Sequence, residues 1–185
     1  IKIDLNKIEE LGSLYDDYVL PLRITSSTGE PMGQNKYTKV LAHIGFKNDY
    51  SGTYSGKGII TQQGTTYTTE ITSTQLYAIN NDICYMFVGE KTRANTPDYL
   101  NYVVEIKRDE WGGITLSSEV GSLEFKSYNS KLSRKYTYNY NDQRYYTEIT
   151  TVELAYEYLD KTQSEDLRMT FEGSFSMSRD VLRVE

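Results

Sequence analysis

The sequence predicts an all-β protein whose larger part is an antiparallel barrel or sandwich, and three observations carry that prediction. Tyrosine, threonine and serine are enriched, with 18 tyrosines and only 3 prolines in 185 residues, a composition suited to pleated, half-buried surfaces. About ten short segments alternate apolar and polar residues and are separated by turn chemistry. No segment sustains a 3.6-residue apolar period; the best helical candidate, Leu5–Leu14, is weak.

Residues 1–47 read as two or three strands and one loop. IKIDL alternates, and Tyr18–Ser26 alternates from Leu20 to Ile24, with Pro21 marking an edge position because proline has no ladder N–H. Ser27–Gln34 is turn chemistry, and KYTKVLAHIGF supplies another strand. Three strands are marginal as a free-standing unit, so this segment leans on the rest or completes a domain begun upstream. Lys47–Gly58, KNDYSGTYSGKG, reads as a junction and a new strand, which puts the one plausible boundary near Asn48. After it GTTYTTEI, ICYMFVG, YLNYVVEIKR, ITLSS, SLEFKSY, KYTYNYN, YYTEITTVELAYEYL and DLRMTFEGSFSMSR read as strands. A loop around Ala78–Asp82, the polar loop EKTRANTPDYL and the tight turn DEWGG separate some of them.

Bulk chemistry excludes several functions. The net charge is −6, which disfavours a nucleic-acid backbone, where contacts are made by Lys and Arg. The only basic cluster, Lys131, Arg134 and Lys135, reads as a solvated strand edge. Cys84 and His43 are the sole cysteine and histidine, so no internal disulfide can form, and a zinc site, a Ser-His-Asp triad or a Cys-His pair is not expected. No stretch approaches the roughly 18 apolar residues of a membrane span. The start IKIDLNKIEEL is neither a signal peptide nor a lipidation site, so an exported protein would carry its address and anchor upstream. GTYSGKG lacks the order of a phosphate loop. No cofactor is expected; Asn81–Asp82 and Asn141–Asp142 leave calcium open, without EF-hand spacing.

Two stretches carry a resemblance. YVLPLRITSSTGE, with Tyr18, Leu20–Ile24 and Ser26, is followed about 25 residues later by YSGTYSGKG, with Tyr50, Gly52, Tyr54 and Gly58. Together they resemble the surface glycan-binding lipoproteins of Bacteroidota polysaccharide-utilisation loci, and VVEIKRDEWGGITLSS resembles that family's mid-domain hairpin. The resemblance implies that residues 1–47 are the last strands of an Ig-like β-sandwich domain. It implies that residues 48–185 form a lipocalin-like antiparallel β-domain. It further implies an outer-membrane lipoprotein at the cell surface that binds an oligo- or polysaccharide without catalysis. Its partners would be the glycan, a TonB-dependent importer and that importer's associated binding lipoprotein. A structural or partner-binding module, or an accessory domain of a glycoside hydrolase, stays open as the alternative.

Candidate ligand residues follow from exposure expected at turns and loops. Trp111 sits in DEWGG, where an indole on a hairpin tip suits a sugar face, or folds back over its own hairpin. Arg93, Asn95, Asp98 and Tyr99 in the loop offer donors, acceptors and a ring, or are plain surface. Tyr136, Tyr138 and Tyr140 share one face of a strand. Because Thr137 and Asn139 are polar, ordinary alternation turns those rings inward, or bridges them across to Tyr145 and Tyr146. Tyr140 and Tyr145, nearest the turn, are the ones expected to reach a ligand. Tyr156 and Tyr158 are expected to pack structurally. Glu105, Glu148, Glu153, Glu157 and Glu172 lie on predicted strands, but no pattern singles out the close pair a glycosidase needs.

Overall fold

The computed structural model describes residues 18–23, 39–45, 47–109, 113–142, 144–162 and 165–182. The expectations for IKIDL, Leu5–Leu14, Ser27–Gln34 and Trp111 lie outside the described residues. Two compact units divide the chain, Ile1–Phe46 and Lys47–Glu185. In the first, β1 (Tyr18–Arg23) and β2 (Lys39–Ile44) pair antiparallel, with Tyr18 opposite Ile44 and Arg23 opposite Lys39.

Among its described residues the second unit holds nine strands. They are β3 (Gly52–Gln62), β4 (Thr68–Ala78), β5 (Ile83–Phe87), β6 (Val103–Arg108) and β7 (Ile114–Ser117), then β8 (Lys126–Ser127), β9 (Lys131–Tyr138), β10 (Tyr145–Asp160) and β11 (Leu167–Leu182). Their order is β7-β6-β5-β4-β3-β11-β10, with β8 and β9 in succession along the far edge of β10. All pairings are antiparallel, and a single backbone bridge from Gly113 to Lys131 spans the seam. The sheet is therefore a nearly closed antiparallel barrel, and no described residue is α-helical.

Period-two alternation sets its inside. Every even-numbered residue of β10 from Glu148 to Asp160 is buried, and the odd ones from Ile149 to Glu157 are only partly so. Val152, Leu154, Tyr156 and Tyr158 are buried, as are Tyr54, Leu76, Met86, Val104, Ile106, Phe171 and Phe175 of the other strands. Tyr156 and Tyr158 are thus structural. Tyr156 stacks on Phe171 at 4.8 Å and 19°, and Phe171 on Phe175 at 6.2 Å and 6°; such ring pairs add about 0.5–1.5 kcal/mol each beyond burial. Room for them comes from the cross-strand pair Gly58 and Gly173. A Cβ on Gly58 would stand 2.7 Å from the Phe171 ring, and one on Gly173 2.6 Å from that of Phe175.

Expectations of three kinds are corrected, strand bounds first. The strand expected over SLEFKSY is broken by a 3-10 turn at Gly121–Leu123. Glu124 then takes a left-handed φ of 45° and bonds back to Gly121. This drives Leu123 into the core and sets Phe125 against Tyr156, leaving only β8 extended. Likewise Tyr99–Tyr102 is a 3-10 turn, started by left-handed Asp98, and the strand begins at Val103.

The tyrosines of β9 are the second correction. Tyr136 faces Glu148, and Tyr138 faces Tyr146, so both lie on the inner side as alternation requires. Yet Tyr136 is 56% exposed and Tyr138 38%, while Tyr140 beyond the strand is 88% exposed. The cause is length: β3 pairs with β11 only as far as Ser176, whereas β11 runs on to Leu182 beside β10. The rings stand on a three-stranded apron that outruns the barrel. The third correction concerns the basic cluster, because the side chain of Arg134 turns inward and is only 17% exposed, toward Asp49 and Glu148.

Candidate functional site

The barrel's upper end is where β3 and β10 finish and β11 starts. There the inward side chains run in rows fixed by register: Tyr158, Met169 and Gln62 in one, Asp160 and Leu167 in the next. They enclose a cup of about 400 Å³, completed by Ile60, Thr69, Tyr67, Glu90, Lys91 and Glu165. Ile60, Met169 and Tyr158 make a buried floor, and Tyr67 stands 59% exposed at the rim. Tyr67 leaves the turn after β3, where its N–H bonds Thr65 Oγ1 and its hydroxyl accepts from Thr69 Oγ1 at 3.2 Å.

One wall of the cup is an ion pair. Lys91 Nζ lies 2.7 Å from Asp160 Oδ2, both side chains being about a tenth exposed. The ammonium also donates to Thr162 Oγ1 and sits 5.5 Å from the Tyr102 ring centre. Asp160 Oδ1 accepts from the backbone N–H of Thr162 at 2.9 Å and from its hydroxyl at 2.6 Å. Burial pushes the Asp160 carboxyl up, but the bonds from Lys91 and Thr162 outweigh it and hold it below the ordinary range. Burial, with Tyr156 and Asp160 nearby, pushes the Tyr158 hydroxyl upward, so it stays a neutral donor. Gly89 fixes where the loop departs. Its φ is +56°, its N–H donates to the Tyr156 hydroxyl at 3.0 Å, and a Cβ there would meet the Tyr158 hydroxyl at 2.5 Å.

Of the residues singled out from the sequence, those of the Glu90–Leu100 loop mostly hold the loop itself. Arg93 donates to the Tyr85 hydroxyl at 2.7 Å and lies 5.7 Å from the ring centres of Tyr77 and Tyr99, on the barrel's outer face. Tyr99 packs edge-on against Phe87 at 5.7 Å. Asn95 accepts from the Thr92 N–H and the Thr96 hydroxyl and donates to the Glu90 carbonyl, which locks the turn. Asp98 is exposed beside a smaller cavity of about 290 Å³ with Asn101, Ser122 and Lys161.

Tyr140 and Tyr145 lie at the other end, on the β9–β10 hairpin. Tyr140 packs edge-on against Tyr138 at 5.2 Å, and Tyr145 is half-buried under the Arg144 guanidinium at 5.7 Å. Arg144 in turn grips Asp142 at 2.6 Å and pulls its carboxyl down to about 2. The fold therefore does not gather the loop residues and these two tyrosines into one site; β10 separates them by about 50 Å at ~3.3 Å per residue. Apart from Tyr158, which reads as a packing residue, nothing in the sequence singles out the cup's lining, although parity along β10 puts Asp160 on the face of Val152 and Tyr156.

Solved structures share the fold. A multidomain Bacteroides ovatus protein that includes DUF1735 matches with a TM-score of 0.66 and 15% identity, over 74% of this chain and 59% of its own. A Bacteroides ovatus protein of unknown function matches at 0.74 and 19%, over 89% and 58%. An auxiliary nutrient binding protein from Bacteroides thetaiotaomicron matches at 0.70 and 17%, also over 89% and 58%. The chain spans under three-fifths of the length of these structures, and likeness at such identities shows the fold alone. No curated protein matches in sequence. A family model described as "-like, C-terminal" covers residues 38–176, more than half of the chain, and the chain belongs to that family.

Proposed function

We propose that the barrel holds an oligo- or polysaccharide in the cup at its upper end, without chemistry on it, as an accessory of a glycan import system. The observation that carries this reading is the lining of the cup. An apolar floor, an exposed Tyr67 ring and a rim of Gln62, Thr69, Glu90, Lys91 and Glu165 surround one concave space. Sugars offer apolar C–H faces to a ring and hydroxyls that need donors and acceptors together. Likeness to an auxiliary nutrient binding protein supports nutrient capture as the role.

The carboxylates support binding over hydrolysis. Glu148 and Asp160, the two buried ones among the described residues, are both held below their ordinary range, whereas the acid of a glycosidase needs the opposite shift. In this reading the protein works at the cell surface, tethered to the outer membrane by an anchor upstream, beside a TonB-dependent importer and its binding lipoprotein. Weak single-site affinity is offset by display of many copies.

The test is retardation of the full chain on native gels cast with a panel of glycans, repeated with Tyr67→Ala. Retardation by at least one glycan, weakened about tenfold by the substitution, is expected, corresponding to ~1.4 kcal/mol. Migration unchanged by every glycan would reject the reading.

A further inference from the structure

The lower end of the barrel carries a second, differently built site. Register across the apron sets Tyr136, Glu148 and Arg179 in one row, and Arg134, Thr150 and Met177 in the next. Glu148 is 2% exposed. Its Oε1 accepts from Arg179 Nε at 2.9 Å, with Nη2 also at 2.9 Å, and it further accepts from the Tyr136 hydroxyl. Its bonding capacity is thus largely used by Arg179 and Tyr136.

Arg134 is left over. Its Nη1 stands 4.0 Å from Glu148 Oε2, and its buried Nε and Nη2 have no partner among the described residues. The remaining neighbour is Asp49, on the turn before β3 and 65% exposed; it lies 3.4 Å from Arg134 Nη1 and 3.5 Å from Arg179 Nη2. Charge-assisted bonds between guanidinium and carboxylate close to about 2.7–2.9 Å, usually two at once. Asp49 makes neither geometry. The same turn buries Tyr50 completely, with its hydroxyl also unpartnered among the described residues. Beside these groups stand the exposed rings of Tyr136 and Tyr138.

We propose that Arg134 and Arg179 form an anion site, loosely occupied by Asp49, that takes the carboxylate or sulfate ester of an acidic saccharide whose ring rests on Tyr136 and Tyr138. The proposal rests on the reading of the barrel as a saccharide binder and adds the class of sugar. On binding, the ligand's anion displaces the Asp49 carboxylate and pairs with Arg134 Nη1 and Arg179 Nη2, the atoms Asp49 now faces. No covalent step is involved.

The full chain is titrated calorimetrically with polygalacturonate oligomers, their methyl esters and sulfated carrageenan oligomers. Polygalacturonate or carrageenan is expected to bind at least tenfold more tightly than the neutral ester, with an affinity that falls as salt rises. Arg134→Gln should abolish that preference. Asp49→Asn should strengthen binding several-fold, because it removes the competing carboxylate, and a folding defect in the first variant cannot mimic that gain. Equal binding of acid and ester, or an Asp49→Asn variant that binds no better, overturns the proposal. Tyr67-dependent binding of a neutral glycan surviving that result would leave the upper cup standing, whereas no binding of any glycan removes both. Binding of inorganic sulfate or poly-glutamate as tight as that of the acidic sugars would also overturn it, because the rings would then contribute nothing.

Discussion

Both ends of the barrel place a cation against carboxylates on the inner face of β10, and they do so in opposite ways. At the upper end Lys91 and Asp160 meet at 2.7 Å, share Thr162 and are almost wholly buried. At the lower end two guanidinium groups face Glu148 and Asp49, the contacts to Asp49 are 3.4–3.5 Å, and donors are left unused. The difference teaches what each pair is for. In the proposed reading, the short, saturated pair fixes the shape of the cup and leaves contacts with a saccharide to its other residues. The loose, unsaturated one is the part of the lower end that an arriving anion would engage.

The sharpest way to break the comparison is to cut one partner from each pair. Lys91→Met leaves the Asp160 charge buried alone and is expected to lower the unfolding free energy by about 3–5 kcal/mol in urea titrations. Asp49→Asn is expected to cost far less, within about 1 kcal/mol, because Asp49 is 65% exposed and stands 3.4–3.5 Å from the guanidinium groups. Equal losses would mean that the two ends are energetically alike. Gly89→Ala falls between those two substitutions, at about 1–3 kcal/mol, since a Cβ at positive φ pushes against the Tyr158 hydroxyl. It should also weaken glycan binding at the cup, by shifting Glu90 and Lys91, while leaving the lower end intact.

Acid sharpens the same contrast. Asp160 and Glu148 have folded-state carboxyls below their ordinary range, so protonation favours the unfolded chain. Their contribution is complete above the ordinary carboxylate range near pH 4 and is lost as pH falls through the lowered folded values. Thermal melts from pH 7 down to about 2 should show that loss, and Asp160→Asn and Glu148→Gln should each flatten it. The smallest effect on stability is expected from Tyr67→Ala, within about 0.5 kcal/mol, which makes it a clean probe of binding.

The tyrosines show how far a sequence carries such an argument. Tyr156 and Tyr158 have the same two-residue spacing as Tyr136 and Tyr138, and both pairs face inward. One pair is core and the other is exposed, because period two tells which side of a sheet a ring takes and nothing about how far the neighbouring strands extend. The overhang of β10 and β11 depends on where β3 begins to pair, which is a tertiary fact. Arg93 is a similar case. Its loop reads as polar and free, but the rings that hold it, Tyr77 and Tyr85, come from strands where alternation alone does not reveal a clamped outer face. The antiparallel all-β character was legible throughout, from alternation and turn residues.

The bare floor beneath Phe171 and Phe175 has a consequence for assembly. If β3 slipped one residue along β11, Lys57 or Ile59 would come opposite Gly173 in place of Gly58, and its side chain would crowd the ring stack. Only one alignment of these two strands lets the barrel shut. The bare position at Gly58 therefore helps select the register in which the wall closes.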